Sequence, residues 1–187
     1  MTETTGTRWL VVAIRLPSNP SRHRVAVWRE LRRIGAIPLG GGVWTAPAAP
    51  VFATGLERVG DLVSRAGGHI LGFDSRPRDE RDEQLVLAEF NAARAAEWTE
   101  FTAECGHFHA EIAKERRKVK FTVAELDEEE HNLDRLRRWF RELRARDLFG
   151  VPEGTHADEQ LTACAQLLDG YAEEVYQAVH APLGTEQ

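Results

Sequence analysis

Two clusters of arginine are the residues in this sequence best suited to chemistry with an anion. Residues 15–33 contain six arginines and one acidic residue, which gives this segment a local charge of +5. Residues 135–146 contain six arginines and Glu142, and they carry the same local charge. The planar guanidinium group forms paired hydrogen bonds with phosphate and carboxylate oxygens. The clusters therefore predict an anionic partner, although a coding bias towards arginine would give the same counts.

A helical wheel shows on which side of each helix these arginines fall. In the first cluster most of them lie opposite the apolar residues, and in the second they spread over the outer side of a helix with a buried leucine stripe. Such a charge run is most often a solvated helix face. The functional alternative is a surface for DNA phosphates without base-specific readout. The predicted DNA contacts are Arg22, Arg29, Arg32, Arg33, Arg137, Arg138 and Arg141.

Arg24 is the exception, because it projects from the middle of the apolar arc in the first turn of its helix. A guanidinium in that position must be paired, must extend to solvent or must line a cavity. One interpretation is a structural ion pair with a carboxylate. The other is an oxyanion site, since backbone N–H groups and the helix dipole favour negative charge at a helix N-terminus. The predicted residues of that site are Arg15, Ser18, Ser21 and Arg24.

Catalytic and metal-binding patterns are weak in this sequence. Two Glu-x-x-His pairs, Glu104/His107 and Glu128/His131, have the ligand spacing of di-iron helical bundles. If the chain turns near residue 120, the pairs lie about 12 Å apart along the helix axis, which is too far to share a metal. No nucleophile elbow and no phosphate-binding glycine motif occurs. We therefore expect no enzymatic activity, no metal and no cofactor.

Length and composition limit the class of protein. With 187 residues the chain can form one ordinary domain, or a small domain with a helical extension. A hydrophobic fraction of 42% and a charged fraction of 29% are typical of a globular protein and argue against disorder. The longest apolar run, Trp9 to Ile14, is too short to span a membrane, and no secretory signal is visible. Two distant cysteines fit a reducing compartment, so we expect a cytoplasmic protein.

The first half of the sequence predicts alternating strands and helices. The order is a strand at residues 9–14, a helix capped by Ser21 and ending at Gly35, two short strands at 36–39 and 43–46, a helix at 51–66 and a strand at 69–74. The three glycines at 40–42 predict the hairpin turn, and Pro38 should keep its strand at an edge or a bulge. This βαββαβ order predicts an α+β fold with a ferredoxin-like unit.

The second half of the sequence shows only helical signals. We expect helices at residues 79–118, from a capping box at Thr122 to 146, and at 157–179, with a break around Phe149 to Pro152. The predicted domains are therefore a ferredoxin-like domain at residues 1–78 and an antiparallel helical hairpin with a C-terminal helix at 79–187. The free face of the sheet is apolar, so we expect the helices or a second subunit to cover it.

Four stretches of the sequence resemble one known family. They are "WLVVAIRLPSNPSRHRVAVWRELRRIGAIPLGGGVWTAP" (Trp9 to Pro47), "FNAARAAEWTEFTAECGHF" (Phe90 to Phe108), "KFTVAELDEEEHNLDRLRRW" (Lys120 to Trp139) and "RARDLFGVP" (Arg144 to Pro152). Together they resemble the N-terminal region of ChrB proteins, which regulate chromate resistance. The first half is also similar to the ferredoxin-like module of PaaX-type repressors and of small CRISPR adaptation nucleases. Those nucleases have a metal-binding aspartate where this chain has Arg15, which argues against nuclease activity.

The resemblance implies a cytoplasmic transcriptional regulator that acts on a chromate-resistance operon, with chromate as a candidate effector. We expect it to bind the operator of that operon as a homodimer. Full-length ChrB proteins carry a second, C-terminal domain. If that domain senses chromate, we expect this chain to bind DNA without sensing, or to act with a separate partner. The alternative function is that of a dimeric oxyanion-binding or scaffold protein that does not bind DNA.

Overall fold

A four-stranded antiparallel sheet and two helices make up most of the first half of the chain. The computed structural model describes residues 6–180. The elements are β1 (Trp9–Arg15), α1 (Ser21–Ile34), β2 (Ile37–Gly40), β3 (Val43–Pro47), α2 (Pro50–Arg65) and β4 (His69–Ser75). Their order in the sheet is β2-β3-β1-β4, and each neighbouring pair is antiparallel. The mixed α+β architecture predicted from the sequence is therefore confirmed.

The remainder of the chain is helical. The three helices are α3 (Glu80–Arg117), α4 (Val123–Arg146) and α5 (Pro152–His180). Two compact units divide within α3, one ending at Arg94 and the other beginning at Ala95. The sequence placed this boundary at residue 78, before α3. The difference arises because Phe90 on α3 is buried in the core of the first unit, in edge-on contact with Trp9 and Phe52.

Turn and cap residues fix the elements of the first unit. Gly35 ends α1 in the left-handed conformation, with φ of 85°. Gly40 at the end of β2 and Gly41 and Gly42 in the β2–β3 turn also have positive φ. Pro38 lies in an edge strand at a register shift, as its missing N–H predicts. The Ser21 cap is a wrong prediction. Pro20 holds the N-cap position and Ser21 is the first helical residue, so no side chain caps this helix.

Pro152 explains the other difference between predicted and observed elements. The sequence analysis interprets Pro152 as part of a helix break and predicts that the last helix begins at residue 157. Instead, α5 begins at Pro152 itself, because proline fits the first turn of a helix, where its missing N–H has no partner to lose. Thr122 caps α4 as expected, and its side chain accepts a hydrogen bond of 3.3 Å from the backbone N–H of Glu125.

The two faces of the sheet have different surroundings. Leu10, Val12 and Ile14 of β1 belong to a core that also contains the buried residues of α1 and α2. Because side chains alternate along a strand, Val11, Ala13 and Arg15 lie on the opposite face, which we call the outer face. On the outer face of β4, Leu71 is 64% exposed and Phe73 is 54% exposed. None of the helices within residues 6–180 is long and apolar enough to cross a membrane.

Candidate functional site

The arginines of α1 are mostly available to an external anion. Arg22 and Arg29 are exposed and have no carboxylate within ion-pair distance among residues 6–180. Arg32 is also exposed, and its guanidinium carbon lies 5.7 Å from the centre of the Trp28 ring. Arg33 differs, because its guanidinium donates bonds of 2.9 and 2.6 Å to Glu30 and lowers the pKa of that carboxyl. The basic face of α1 therefore retains three guanidinium groups that the described chain does not neutralise.

The arginines of α4 follow the same pattern. Arg138 and Arg141 are exposed and have no acidic partner in the described part of the chain. Arg137 is held by Asp134 of the preceding turn, at 3.3 Å. The sequence predicted a helix face with little interleaved acid, and the structure leaves two of its three proposed phosphate contacts without an ion pair. The α1 and α4 faces belong to different units of the chain.

Arg24 lines a cavity rather than forming an ion pair. The cavity has a volume of about 350 Å³ and lies between α1 and the helix-covered face of the sheet. Within residues 6–180 no carboxylate lies within ion-pair distance of Arg24, so the structural ion pair considered from the sequence is absent there. The other lining residues are almost all apolar: Ile14, Leu16, Val27, Trp28, Leu31, Gly42 and Trp44.

The four residues of the predicted oxyanion site are not all brought together. Arg15 ends β1 and pairs in register with His69 of β4, so its side chain lies on the outer face of the sheet. Arg24 lies on the helix-covered side, in the cavity beside Ile14. Ser18 and Ser21 are exposed, and neither lines that cavity. Closeness in the chain predicts that Arg15 lies near Arg24, but the alternation of side chains along β1 puts Arg15 on the opposite face of the sheet.

A polar pocket of about 200 Å³ lies between α3 and α4 in the second unit. Its central acid is Glu129, only 3% exposed, which accepts a hydrogen bond of 3.2 Å from Asn132. Burial raises the pKa of Glu129, and the nearby carboxylate of Glu111 adds to the effect. Only one of the two Glu-x-x-His pairs lines this pocket, namely Glu104 and His107. No group of three or more His, Cys, Asp or Glu side chains in the described range is placed to hold a metal ion.

Buried charged residues are the main feature that sequence reasoning missed. Arg94, Glu115 and Glu129 are each 2–3% exposed. Arg94 donates a hydrogen bond of 2.7 Å to the backbone oxygen of Gly35, and its guanidinium lies 4.6 Å from the centre of the Phe90 ring. All three charged residues occupy the apolar stripe of their own helices. A helical wheel of α3 and α4, like the one applied to α1, would have identified them.

Asp147 organises the connection between α4 and α5. Its buried carboxylate accepts hydrogen bonds from the Trp98 indole at 3.0 Å and from the backbone N–H groups of Gly150 and Val151 at 3.0 and 3.3 Å. This residue lies within the "RARDLFGVP" stretch that resembles the ChrB family. Its contacts show a structural role for that stretch.

Comparison with known proteins agrees with these sequence patterns. The family described as protein ChrB, N-terminal, matches residues 24–182. The match begins at Arg24 and includes both basic helices except for the first turn of α1. Protein ChrB of Cupriavidus metallidurans is 26% identical over 98 residues, an alignment that covers 52% of this chain and 30% of that relative. Because the family match includes most of the sequence, the chain belongs to the ChrB N-terminal family.

Proposed function

We propose that this chain is a transcriptional regulator of chromate resistance that binds DNA phosphates through the basic faces of α1 and α4. The observation that supports the proposal most directly is that five of the seven predicted contacts have no acidic partner within residues 6–180. Family membership supports the link to chromate resistance, since the resemblance is to chromate-resistance regulators. The five unpaired residues are Arg22, Arg29, Arg32, Arg138 and Arg141.

Unpaired arginines matter because of the energetics of DNA binding. A guanidinium that replaces a condensed cation on DNA releases that cation, and each such contact steepens the salt dependence of binding by about 0.9 in log–log slope. An arginine already held by a carboxylate, such as Arg33 with Glu30, gains less because it must first lose its partner. The net charge of −6 does not oppose this binding, since the local field of a basic face determines what a phosphate meets.

The test measures DNA binding across a range of salt concentrations. The probe is a duplex from the region upstream of the protein's own operon, and binding is followed by gel shift and fluorescence anisotropy between 50 and 200 mM salt, a range over which phosphate contacts weaken strongly. The double variant Arg22→Gln/Arg29→Gln should reduce the salt slope by about two. Arg138→Gln/Arg141→Gln should act in the same way if α4 also contacts DNA.

A charge-matched control separates local contacts from net charge. The variant Arg65→Gln/Arg81→Gln removes two exposed arginines of the same unit, one from α2 and one from α3, and its salt slope should equal that of the unchanged protein. No binding at ~50 mM salt would reject the DNA-binding function. Equal effects of the α1 variant and the Arg65→Gln/Arg81→Gln control would reject the assigned surface. Without DNA binding, the dimeric scaffold or oxyanion-binding alternative would be favoured.

Chromate is the proposed effector, and the same assay tests it. Addition of chromate should weaken the complex with the upstream duplex, whereas sulfate at equal concentration and charge should not. Because Arg15 and Arg24 lie on different sides of the sheet, this proposal no longer depends on the four-residue oxyanion site. An unchanged complex in chromate would show that this chain does not sense it.

We also propose a homodimer formed through β4. This strand lies at the edge of the sheet, pairs with no strand other than β1 within residues 6–180, and exposes Leu71 and Phe73. An antiparallel pairing of two β4 strands about Gly72 would place Leu71 of each copy opposite Phe73 of the other. Edge strands of this kind readily pair with another chain. Sedimentation should show that Phe73→Asp favours the monomer and that Leu85→Asp, an exposed control on α3, does not.

The remaining proposals concern class and compartment. The strand order β2-β3-β1-β4 with its two helices supports assignment of the first unit to the ferredoxin-like class. The likeness to PaaX-type repressors stays a prediction, as do the cytoplasmic location and the lack of catalytic activity. A nuclease assay with Mg²⁺ or Mn²⁺ on the same duplex checks the last of these, and cleavage would contradict it.

A further inference from the structure

The cavity beside α1 has the size of a binding site for a small molecule. Its volume of about 350 Å³ falls at the lower end of the roughly 300–1,000 Å³ typical of ligand pockets. One wall is formed by α1, where Trp28 is 50% exposed and Arg24 is also exposed, and the other by the sheet, where Trp44 is 9% exposed, so the cavity is open to solvent on its α1 side. Gly42 lines it as well, and a Cβ atom there would lie 2.6 Å from the backbone oxygen of Ile14. The backbone therefore approaches closely at this edge of the cavity.

The polar features of the cavity favour an anion. Arg24 supplies a guanidinium with no acidic partner in the described chain. The first turn of α1 contains no acidic residue, and no side chain caps it. Both features leave positive potential at this end of the helix. An anionic group next to Arg24 would therefore meet complementary charge.

The apolar lining of the cavity favours a ligand that has an apolar body as well as an anionic group. A small inorganic oxyanion such as chromate is strongly hydrated, and it needs several hydrogen-bond donors to replace its water. This cavity offers it one guanidinium among aliphatic and aromatic side chains. A ligand with an apolar body would instead bury that body against Trp28 and Trp44, which gains free energy in proportion to the area removed from water.

We propose that this cavity binds a small organic monoanion, with its carboxylate at Arg24 and an aromatic or branched apolar body between Trp28 and Trp44. The proposal goes beyond DNA binding and does not depend on it, because the arginines proposed to contact DNA do not line the cavity. The two proposals can therefore fail separately. The ligand class follows from three properties of the site: its volume, its largely apolar lining, and the guanidinium of Arg24, which has no acidic partner among residues 6–180.

The chain contains the reporters that a test requires. It has five tryptophans, of which Trp28 and Trp44 line the cavity. The probe is 1-naphthoate, titrated into the full ¹⁵N-labelled chain while the five indole N–H signals are followed by NMR. Trp28→Phe identifies one of the two cavity signals. The signals of Trp28 and Trp44 should shift with saturation, whereas those of Trp9, Trp98 and Trp139 should not.

Variants and an uncharged probe then test the role of charge. Arg24→Gln should weaken 1-naphthoate roughly tenfold or more, the usual effect of removing a charge-assisted bond. Arg58→Gln, an exposed arginine on α2 outside the cavity, should change the affinity less than twofold. The neutral 1-naphthamide should bind the unchanged protein as weakly as 1-naphthoate binds Arg24→Gln. Chromate at equal concentration should not displace 1-naphthoate.

Each contrary result would overturn the proposal. Unchanged Trp28 and Trp44 signals would show that the cavity does not bind this class of ligand. Equal losses in Arg24→Gln and Arg58→Gln would show that binding follows net charge. Equal affinity for the acid and the amide would remove Arg24 from the site, and displacement by chromate would make the cavity an inorganic oxyanion site.

Discussion

The buried side chain of Arg94 links α3 to the end of α1, and its replacement tests how much this contact contributes to the stability of the first unit. Its side chain extends from α3 to the end of α1, where its Nη1 atom donates a 2.7 Å hydrogen bond to the backbone oxygen of Gly35. Because Arg94 is only 2% exposed, water cannot replace that bond without rearrangement of the core. We expect Arg94→Met, which keeps the length of the side chain and removes its charge, to destabilise the protein.

The expected magnitude follows from the contacts. Loss of a charge-assisted hydrogen bond costs about 1.5–3 kcal/mol, and the oxygen of Gly35 is then left without this donor. Loss of the contact with the Phe90 ring, 4.6 Å away, adds about 1 kcal/mol. Methionine no longer buries a charge, and this relief offsets part of the loss. The net decrease in the free energy of unfolding should be about 2–3 kcal/mol.

Urea denaturation followed by circular dichroism measures this decrease. The matched control is Arg81→Met, an exposed arginine between three and four turns earlier on the same helix, which should stay within about 0.5 kcal/mol of the unchanged protein. Hydrogen exchange at the amides of Gly35 and Ala36, which close the end of α1, should also accelerate in Arg94→Met. A loss below about 0.5 kcal/mol, or equal losses in both variants, would refute the assigned role of Arg94.

Two further predictions concern the second unit. Asp147→Ala leaves the Trp98 indole and two backbone N–H groups without their acceptor. Thermal denaturation should therefore show that the free energy of unfolding falls by about 3 kcal/mol. A decrease below about 1 kcal/mol would contradict the structural role of these hydrogen bonds. The pKa of Glu129 is raised by burial and by the nearby carboxylates of Glu111, Glu128 and Glu115. Stability should therefore be lost as pH rises from the ordinary value of about 4.5 through the raised pKa. In urea titrations from pH 4 to 8, Glu129→Gln should reduce the pH dependence of the free energy of unfolding and stabilise the protein at pH 8. If the variant shows the same pH dependence as the unchanged protein, Glu129 is not its cause.

Backbone chemistry made the elements of the first unit predictable. The glycines at residues 40–42 could be placed in a turn because all three need positive φ, and Pro38 could be placed at an edge because it lacks an N–H. The start of α5 was misplaced because proline both ends helices and begins them. Proline is favoured in the first turn of a helix, and the interpretation of Pro152 as a helix breaker did not take this preference into account.

The candidate sites were predictable only to the extent that one helix determines them. A wheel of α1 placed Arg24 on the apolar side and Arg22 and Arg29 opposite, because those positions depend on helical periodicity alone. Whether Arg15 meets Arg24 depends on the face of β1 that α1 covers, which is a tertiary property. The pairing of Arg33 with Glu30 could have been expected from their i,i+3 spacing.

The indole of Trp28 contacts both the apolar cavity and a charged side chain of the α1 surface. It forms part of the wall of the apolar cavity, and the guanidinium of Arg32 lies over its ring. A molecule in the cavity that displaced or tilted this half-exposed ring would also move the guanidinium of Arg32. By thermodynamic linkage, an anion bound to Arg32 would then change the affinity of the cavity for its ligand by the same factor as the ligand changes the affinity for the anion. Trp28 is thus a direct contact between the cavity and Arg32, through which binding at one place can affect binding at the other.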